Sequence, residues 1–550
     1  MNMKETVQTQ KKKISYQASS GIKLLIGVVF AVLVIFPLIR MLLYIDSKSL
    51  KKVIISASFF QAVNHSVFVA LVATIITMII AYFLAMCVER SGIRWKDMWN
   101  IVLVLPMLIP SISHGMGLIV LFGNNGLLVR LFNLNGNIYG KWGIVTGSVM
   151  YAFPVAFLMI KDILKYEDRS PYEAATVLGV SRWRQFTAIT FPYLRKPLIS
   201  VVFAVFTLVV TDYGVPLMVG GKYTTIPVLM YQDVIGQLDF SRGAVYGVVL
   251  LIPAVIAFTF DLLNKDRGNS AYVTRGFEPS TNKIFKIFSY LYCGLVSVCV
   301  LLPILSFILL GFARNYPIDL AFTTRNIEQA FNMNAGRYLM NSILIAVLVS
   351  ISGVMISFIT AYLTARMKSK ASKFLHLIAI TSAAIPGIVL GLSYVIVFKG
   401  SFIYGTIAIL IMVNMIHFFA SPYLMMYNSL SKINDNLESV GKTLGIGRLR
   451  MIKDIFIPQS AATLWEMAAY FFVNCMMTIS AISFLATTAN KPVALMINQF
   501  EAQTQLECAA VVSLAILLVN LLFKMLVYWM KKFLIGKKNI NTEIVREGTT

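Results

Sequence analysis

The sequence predicts an all-α polytopic membrane protein: twelve transmembrane helices in two parallel six-helix repeats, with both termini cytoplasmic. Three observations carry that expectation. First, 58% of the 550 residues are hydrophobic, only 13% are charged, and the mean hydropathy is +0.76. Apolar runs of about 18 residues or more recur along the whole length, as helices crossing a bilayer require. Second, one polar, glycine-interrupted loop occurs twice, at residues 170–192 and 436–458. Third, the Lys and Arg residues behind the net charge of +24 collect on alternate loops.

Spans are expected near 24–44, 62–88, 100–122, 142–160, 197–219, 244–263, 284–312, 340–364, 374–398, 403–427, 462–488 and 508–530. With the amino terminus inside, inner segments carry roughly three times as many Lys and Arg as outer loops, which orients both termini inward. The basic charge therefore reports topology. No basic patch is interleaved with aromatics, so no nucleic-acid role is expected. Transmembrane strands would need alternating segments of about ten residues, which are not found.

Residues 1–20 are polar and Lys-rich and are expected as a cytoplasmic tail. The first apolar run follows Lys11-Lys12-Lys13 without a small-x-small cleavage site, which favours an uncleaved span over a signal peptide. The first six-span half is placed at 21–264, a basic cytoplasmic linker at 265–283, the second half at 284–532, and a second tail at 533–550. Pro110 with Gly115 in the first half faces Pro386 with Gly391 in the second. The inner loop 89–99 (ERSGIRWKDMW) distantly resembles a major-facilitator loop, but the match is poor, and a basic glycine turn between spans is the favoured reading. The five cysteines fall in or beside apolar spans without CxxC spacing and read as apolar filling.

The loop SPYEAATVLGVSRWRQFTAITFP (170–192) has helix-start signals: Ser170 as cap, Pro171 at the first helical position, and Glu173 where a capping box places an acid. Gly179 fits a stop in the left-handed region. A second short helix from about Ser181 is expected to end at Pro192. The later copy, NLESVGKTLGIGRLRMIKDIFIP, sets Gly445 against Gly179 and Pro458 against Pro192, with Asn436 in the place of Ser170.

The first copy resembles the EAA signature of ABC-importer permease subunits, through Glu173, Ala174, Ala175, Gly179, Ile189 and Pro192. The resemblance implies a fused two-half permease in the cell membrane whose loops dock on two copies of a cytoplasmic ABC ATPase. An extracytoplasmic solute-binding protein delivers the cargo in such systems. ATP belongs to the separate ATPase, and no cofactor is implied for this chain. The second copy departs from the signature: Ser439, Val440 and Gly441 replace Glu-Ala-Ala, and the acid sits one place early at Glu438. Gly445, Ile455 and Pro458 keep the pattern.

No P-loop, HExxH or GxSxG motif is found, and Gly441-Lys442-Thr443 is a chance fragment of a P-loop ending, so an enzyme is not expected. The segment 206–221 (FTLVVTDYGVPLMVGG) puts Asp212 and Tyr213 at membrane depth, with Thr478 at the matching place in the second half. A carboxylate there is costly unless it serves a cavity or a partner, so these three are path candidates. Segments 118–131, 206–216 and 235–258 resemble 2-aminoethylphosphonate permeases, with iron(III) and thiamine permeases as relatives. That likeness favours a phosphonate cargo, with Asp212 facing the amine. An iron(III) or thiamine permease is the first alternative and a secondary carrier the second; a scaffold role would leave the doubled loop without a purpose.

Overall fold

A computed structural model describes residues 20–133, 137–264 and 276–547. The amino-terminal tail up to residue 19, most of the expected linker (265–275) and residues 548–550 lie outside the described residues. Helices make up nearly all of the rest; one two-stranded hairpin, Ala313–Asn315 with Asp319–Phe322, stands between the long helices Lys283–Gly311 and Ala335–Ala365, followed by a short helix, Arg325–Asn332.

Among the described residues nine helices are long and apolar enough to cross a membrane, from Ser20–Leu43 to Leu506–Phe533. Two further pairs are bent: Lys370–Ala384 with Gly387–Phe398 by 105°, and Ile407–His417 with Ala420–Ser431 by 53°. These pairs occupy the straight spans expected at 374–398 and 403–427. The first break falls at Ile385-Pro386, where proline offers no N–H to continue the ladder. The expected span 100–122 is interrupted likewise, by a 3₁₀ turn over Leu105–Leu108 and Pro110. Two other expected spans stop short: 197–219 at Val210 and 462–488 at Met477.

Three helix starts carry a short polar cap. Asp46 Oδ1 accepts the N–H of Ser49 at 2.5 Å, Asn282 Oδ1 those of Ile284 and Phe285 at 2.9 and 3.4 Å, and Ser369 Oγ that of Ser372 at 3.1 Å.

The contacts resolve two compact units. The larger comprises Ile45–Gly336 and Val493–Leu517; the smaller comprises the chain up to Tyr44, Arg337–Pro492, and the chain from Leu518. Each half of the sequence thus lends its opening span to the unit built on the other half: Ser20–Leu43 belongs to the smaller unit and Lys283–Gly311 to the larger.

The two units share a packing motif that the sequence marks with glycine. In the larger unit, a Cβ on Gly115 would lie 2.7 Å from Met218 Cβ and 3.4 Å from the Val215 carbonyl. In the smaller, a Cβ on Gly391 would lie 2.5 Å from the Ala481 carbonyl. Val215 and Ala481 are separated by 266 positions, the offset of the doubled loop. In both units the helix after the Pro110 or Pro386 break therefore packs backbone-close on the segment after the Val210 or Met477 stop. Small residues permit such approach where lipid supplies no hydrophobic drive between helices.

Candidate functional site

The doubled loop has one conformation twice, each copy within its own unit. Helices Ser170–Val177 and Asn436–Thr443 are followed by Gly179 (φ +68°) and Gly445 (φ +69°), short helices Arg182–Gln185 and Arg448–Met451, and π turns Phe186–Thr190 and Ile452–Phe456. Every pair is separated by 266 residues.

The starting cap is displaced from its expected place. Ser170 does not cap; Asp168 Oδ1 accepts the Ser170 N–H at 3.0 Å and its hydroxyl at 2.9 Å. Asn434, the equivalent of Asp168, accepts the Asn436 N–H at 2.9 Å, so Asn436 is likewise inside its helix. The glycine stops are Schellman turns in both copies. Val180 N–H reaches Ala175 O at 2.9 Å and Gly179 N–H reaches Thr176 O at 3.1 Å; Ile446 reaches Gly441 at 2.8 Å and Gly445 reaches Lys442 at 3.2 Å.

Pro192 does not end a helix, contrary to expectation. The N–H of Phe191 bonds back five residues to Phe186 O, and that of Ile457 to Ile452 O, before the helix continues. Pro192 and Pro458 then sit where the next helical stretch begins, so their missing N–H interrupts no regular turn.

Each loop is fixed by an arginine that the sequence reading did not single out. Arg90, at the end of helix Ala57–Arg90, donates to Leu164 O at 2.8 Å and to Glu167 Oε2 at 2.5 Å. Tyr172 Oη donates to Glu167 Oε1 at 2.5 Å and meets Thr190 Oγ1 at 2.9 Å. Burial, reinforced by that bond to the Glu167 carboxylate, pushes the Tyr172 phenol well above its ordinary pKa.

In the smaller unit Arg366, whose side chain is 1% exposed, donates to Leu430 O at 3.3 Å, Ile433 O at 2.6 Å and Asn434 O at 3.0 Å. Its Nε donates to Glu438 Oε1 at 2.6 Å and a second nitrogen to Oε2. In repeat positions Leu430 matches Leu164, Ile433 matches Glu167, and Glu438 matches Tyr172. The clamping carboxylate has moved from before the helix to within it. Glu438, read from sequence as a displaced signature acid, is thus engaged in holding its own loop.

The remaining signature residues are distributed as a surface needs. Glu173 is a third exposed and pairs with Arg169 at 3.1 Å. Ala174 and Ser439 are exposed, Ala175 is buried, Ile189 and Ile455 are half-buried, and Pro192 and Pro458 are exposed. Around them large apolar side chains stand in solvent: Leu178 (78%) with its match Leu444 (68%), and Trp183 (74%) with its match Leu449 (84%). The Gly441-Lys442-Thr443 fragment forms the last three residues of helix Asn436–Thr443, not a phosphate-cradling loop.

Asp212 and Tyr213 follow the stop at Val210. Asp212 accepts the N–H of Gly214 at 3.3 Å and of Val215 at 3.0 Å, capping the short helix Gly214–Val219. Tyr213 is buried and stacks on Tyr231 at 5.0 Å between centroids. Thr478 ends helix Ala461–Met477 in the smaller unit, its N–H on Asn474 O at 2.9 Å. The path candidates therefore lie at matching breaks in two different units. No cluster of three or more His, Cys, Asp or Glu able to hold a metal occurs among the described residues.

Comparison with known proteins matches a family twice along the chain. The family, described as binding-protein-dependent transport system inner membrane component, covers residues 79–265 and 353–535. The chain is 24% identical over 446 residues to the ferric transport system permease protein FbpB of Actinobacillus pleuropneumoniae, an alignment covering 78% of this chain and 65% of that relative. It is 25% identical over 232 residues to the thiamine transport system permease protein ThiP of Haemophilus influenzae, covering 40% of this chain and 43% of the relative. A probable sulfate transport system permease protein, cysT of Prototheca wickerhamii, is 25% identical over 232 residues, covering 41% and 90%. With two matched repeats, a helical membrane fold and a loop duplicated in conformation as well as in sequence, the chain belongs to the binding-protein-dependent transport system inner membrane components, multi-pass proteins of the cell membrane.

Proposed function

We propose that this chain is the fused permease subunit of an ATP-driven ABC importer, moving a small polar solute by alternating access. The observation that carries the reading is the doubled loop itself: two arginine-clamped helices, each followed by an exposed apolar pair, Leu178 with Trp183 and Leu444 with Leu449. Such a helix transmits rotation only if its orientation is fixed, which the clamps provide. Two copies of a cytoplasmic ABC ATPase would receive these surfaces, and a solute-binding protein would deliver cargo from the opposite side. The path would run along the breaks at Asp212, Tyr213 and Thr478.

For the cargo, the named relatives favour iron(III) over the 2-aminoethylphosphonate that three sequence segments suggest. The Asp212 carboxylate, offered for a phosphonate's amine, is already engaged by two backbone N–H groups. Deleting the gene and measuring growth on iron(III) as sole iron source, and on 2-aminoethylphosphonate as sole phosphorus source, tests both. Loss only on limiting iron(III) supports iron; loss only on the phosphonate reverses the choice and leaves the importer standing. Uptake that persists without ATP and follows an ion gradient would replace the importer with a secondary carrier.

A further inference from the structure

The clamps of the two loops are finished differently. In the larger unit, the described end of the expected linker closes over Arg90. The Phe277 ring lies 3.5 Å from the Arg90 guanidinium and 5.2 Å from the Tyr172 ring, and Glu278 pairs with Arg169 at 2.9 Å. The Ser280 N–H bonds to Arg90 O at 2.8 Å. An aromatic face and a carboxylate thus cover and neutralise that end of the loop.

In the smaller unit the same flank is a cavity of about 240 Å³ whose lining includes Lys23, Arg366, Lys368, Lys442 and Arg448, with Glu438 as its one carboxylate. Lys23 is 4% exposed, an unusual burial for lysine, and uses its ammonium on Met367 O at 2.7 Å and Ser369 Oγ at 3.1 Å. Glu438 is taken by Arg366, and Lys368 shares Asp435 with Arg366 at 3.3 Å. Among the described residues neither Lys442 nor Arg448 is in an ion pair. Lys442 has no basic counterpart in the first loop, where Thr176 stands.

We propose that this cavity is an anion site that receives a phosphate group, either as a free phosphate or as the headgroup of an anionic lipid. Five cations against two committed carboxylates, Glu438 in the lining and Asp435 beside it, still leave more than one charge uncompensated, which suits a dianion better than a single carboxylate. The set mixes arginines, which grip phosphate oxygens in pairs, with lysines that act as point charges. Because Lys442 and Arg448 belong to the two short helices of loop 436–458, an occupant would tie those helices to the Arg366 clamp, as Phe277 and Glu278 do for the first loop. The proposal is independent of the cargo and of the ATPase.

The test uses the purified full-length chain in two arms. Equilibrium dialysis with radiolabelled orthophosphate measures the free anion, and melting in phosphatidylcholine nanodiscs with and without phosphatidylglycerol measures the lipid. The variant is K442Q/R448Q, and R184Q/K453Q removes two exposed cations elsewhere on the loops as a control. Wild type and control should bind orthophosphate saturably, with the variant about tenfold weaker or worse, if the anion is free. If the anion is a lipid, phosphatidylglycerol should raise the melting temperature of wild type and control but not of the variant. A charge-conserving K442R/R448K variant that behaves as wild type separates lost charge from lost fold. No saturable phosphate, together with an equal phosphatidylglycerol response in wild type and K442Q/R448Q, overturns the proposal.

Discussion

Arg366 holds both carboxylate oxygens of Glu438, whereas its counterpart Arg90 holds Glu167, whose repeat position in the second half is Ile433. The same clamp is built from acids five residues apart on the repeat. This makes the acid transferable. Glu438→Tyr, which copies the first loop's residue, should destabilise the protein by about 2 kcal/mol, because a buried guanidinium loses charged hydrogen bonds while keeping its carbonyl partners. Adding Ile433→Glu should restore most of the loss. Thermal unfolding of the two single variants and the double variant in detergent gives the coupling; strictly additive losses would show that the clamps are not equivalent.

Gly179 and Gly445 have positive φ and open space around a would-be Cβ, so an alanine there is opposed by backbone strain alone. Gly179→Ala and Gly445→Ala should each cost about 1 kcal/mol, and by similar amounts, since the two Schellman turns match bond for bond. Melting temperatures compare them directly. A much larger loss at one site would mean that its loop has less freedom to relax than the geometry indicates.

What could be read in the sequence follows from how local its causes are. The glycine stops, the doubling at 266 positions and the helical membrane class all depend on residues close along the chain. Ser170 is not the cap because it already lies inside the helix, and its N–H and hydroxyl both turn to Asp168, two residues before it. Pro192 looked like a terminus because a π turn leaves no sequence mark. The Arg90 and Arg366 clamps join residues some 70 positions apart, and an arginine at the end of an apolar span also satisfies the inside-positive rule. The exchange of opening spans between units has no signal either, as lipid-facing and helix-facing surfaces are equally apolar.

The exposed leucines distinguish docking from folding. Leu178→Glu and Leu444→Glu remove apolar surface from solvent, so neither should lower the melting temperature of the isolated chain. Both should weaken retention of the partner ATPase in pull-downs from membranes and lower transport-coupled ATP hydrolysis. At the signature itself, Glu173→Lys should uncouple more than Ser439→Lys, because only the first reverses an acid. Equal effects would remove the inferred asymmetry between the loops.

Asp212 decides between a path charge and a structural cap. Its oxygens accept from Gly214 and Val215, which fixes the turn between Val210 and the helix that Gly115 packs against. An asparagine keeps a carbonyl oxygen for that turn and removes the charge; an alanine removes both. If the cap is what matters, Asp212→Asn should retain most uptake, while Asp212→Ala should lose about 1 kcal/mol of stability and much of its transport. Uptake by reconstituted vesicles, paired with melting temperatures, separates the cases. An Asp212→Asn protein that folds normally and transports nothing would mean that the cargo itself needs the carboxylate, and the balance would return to a cationic or amine-bearing solute touching Asp212.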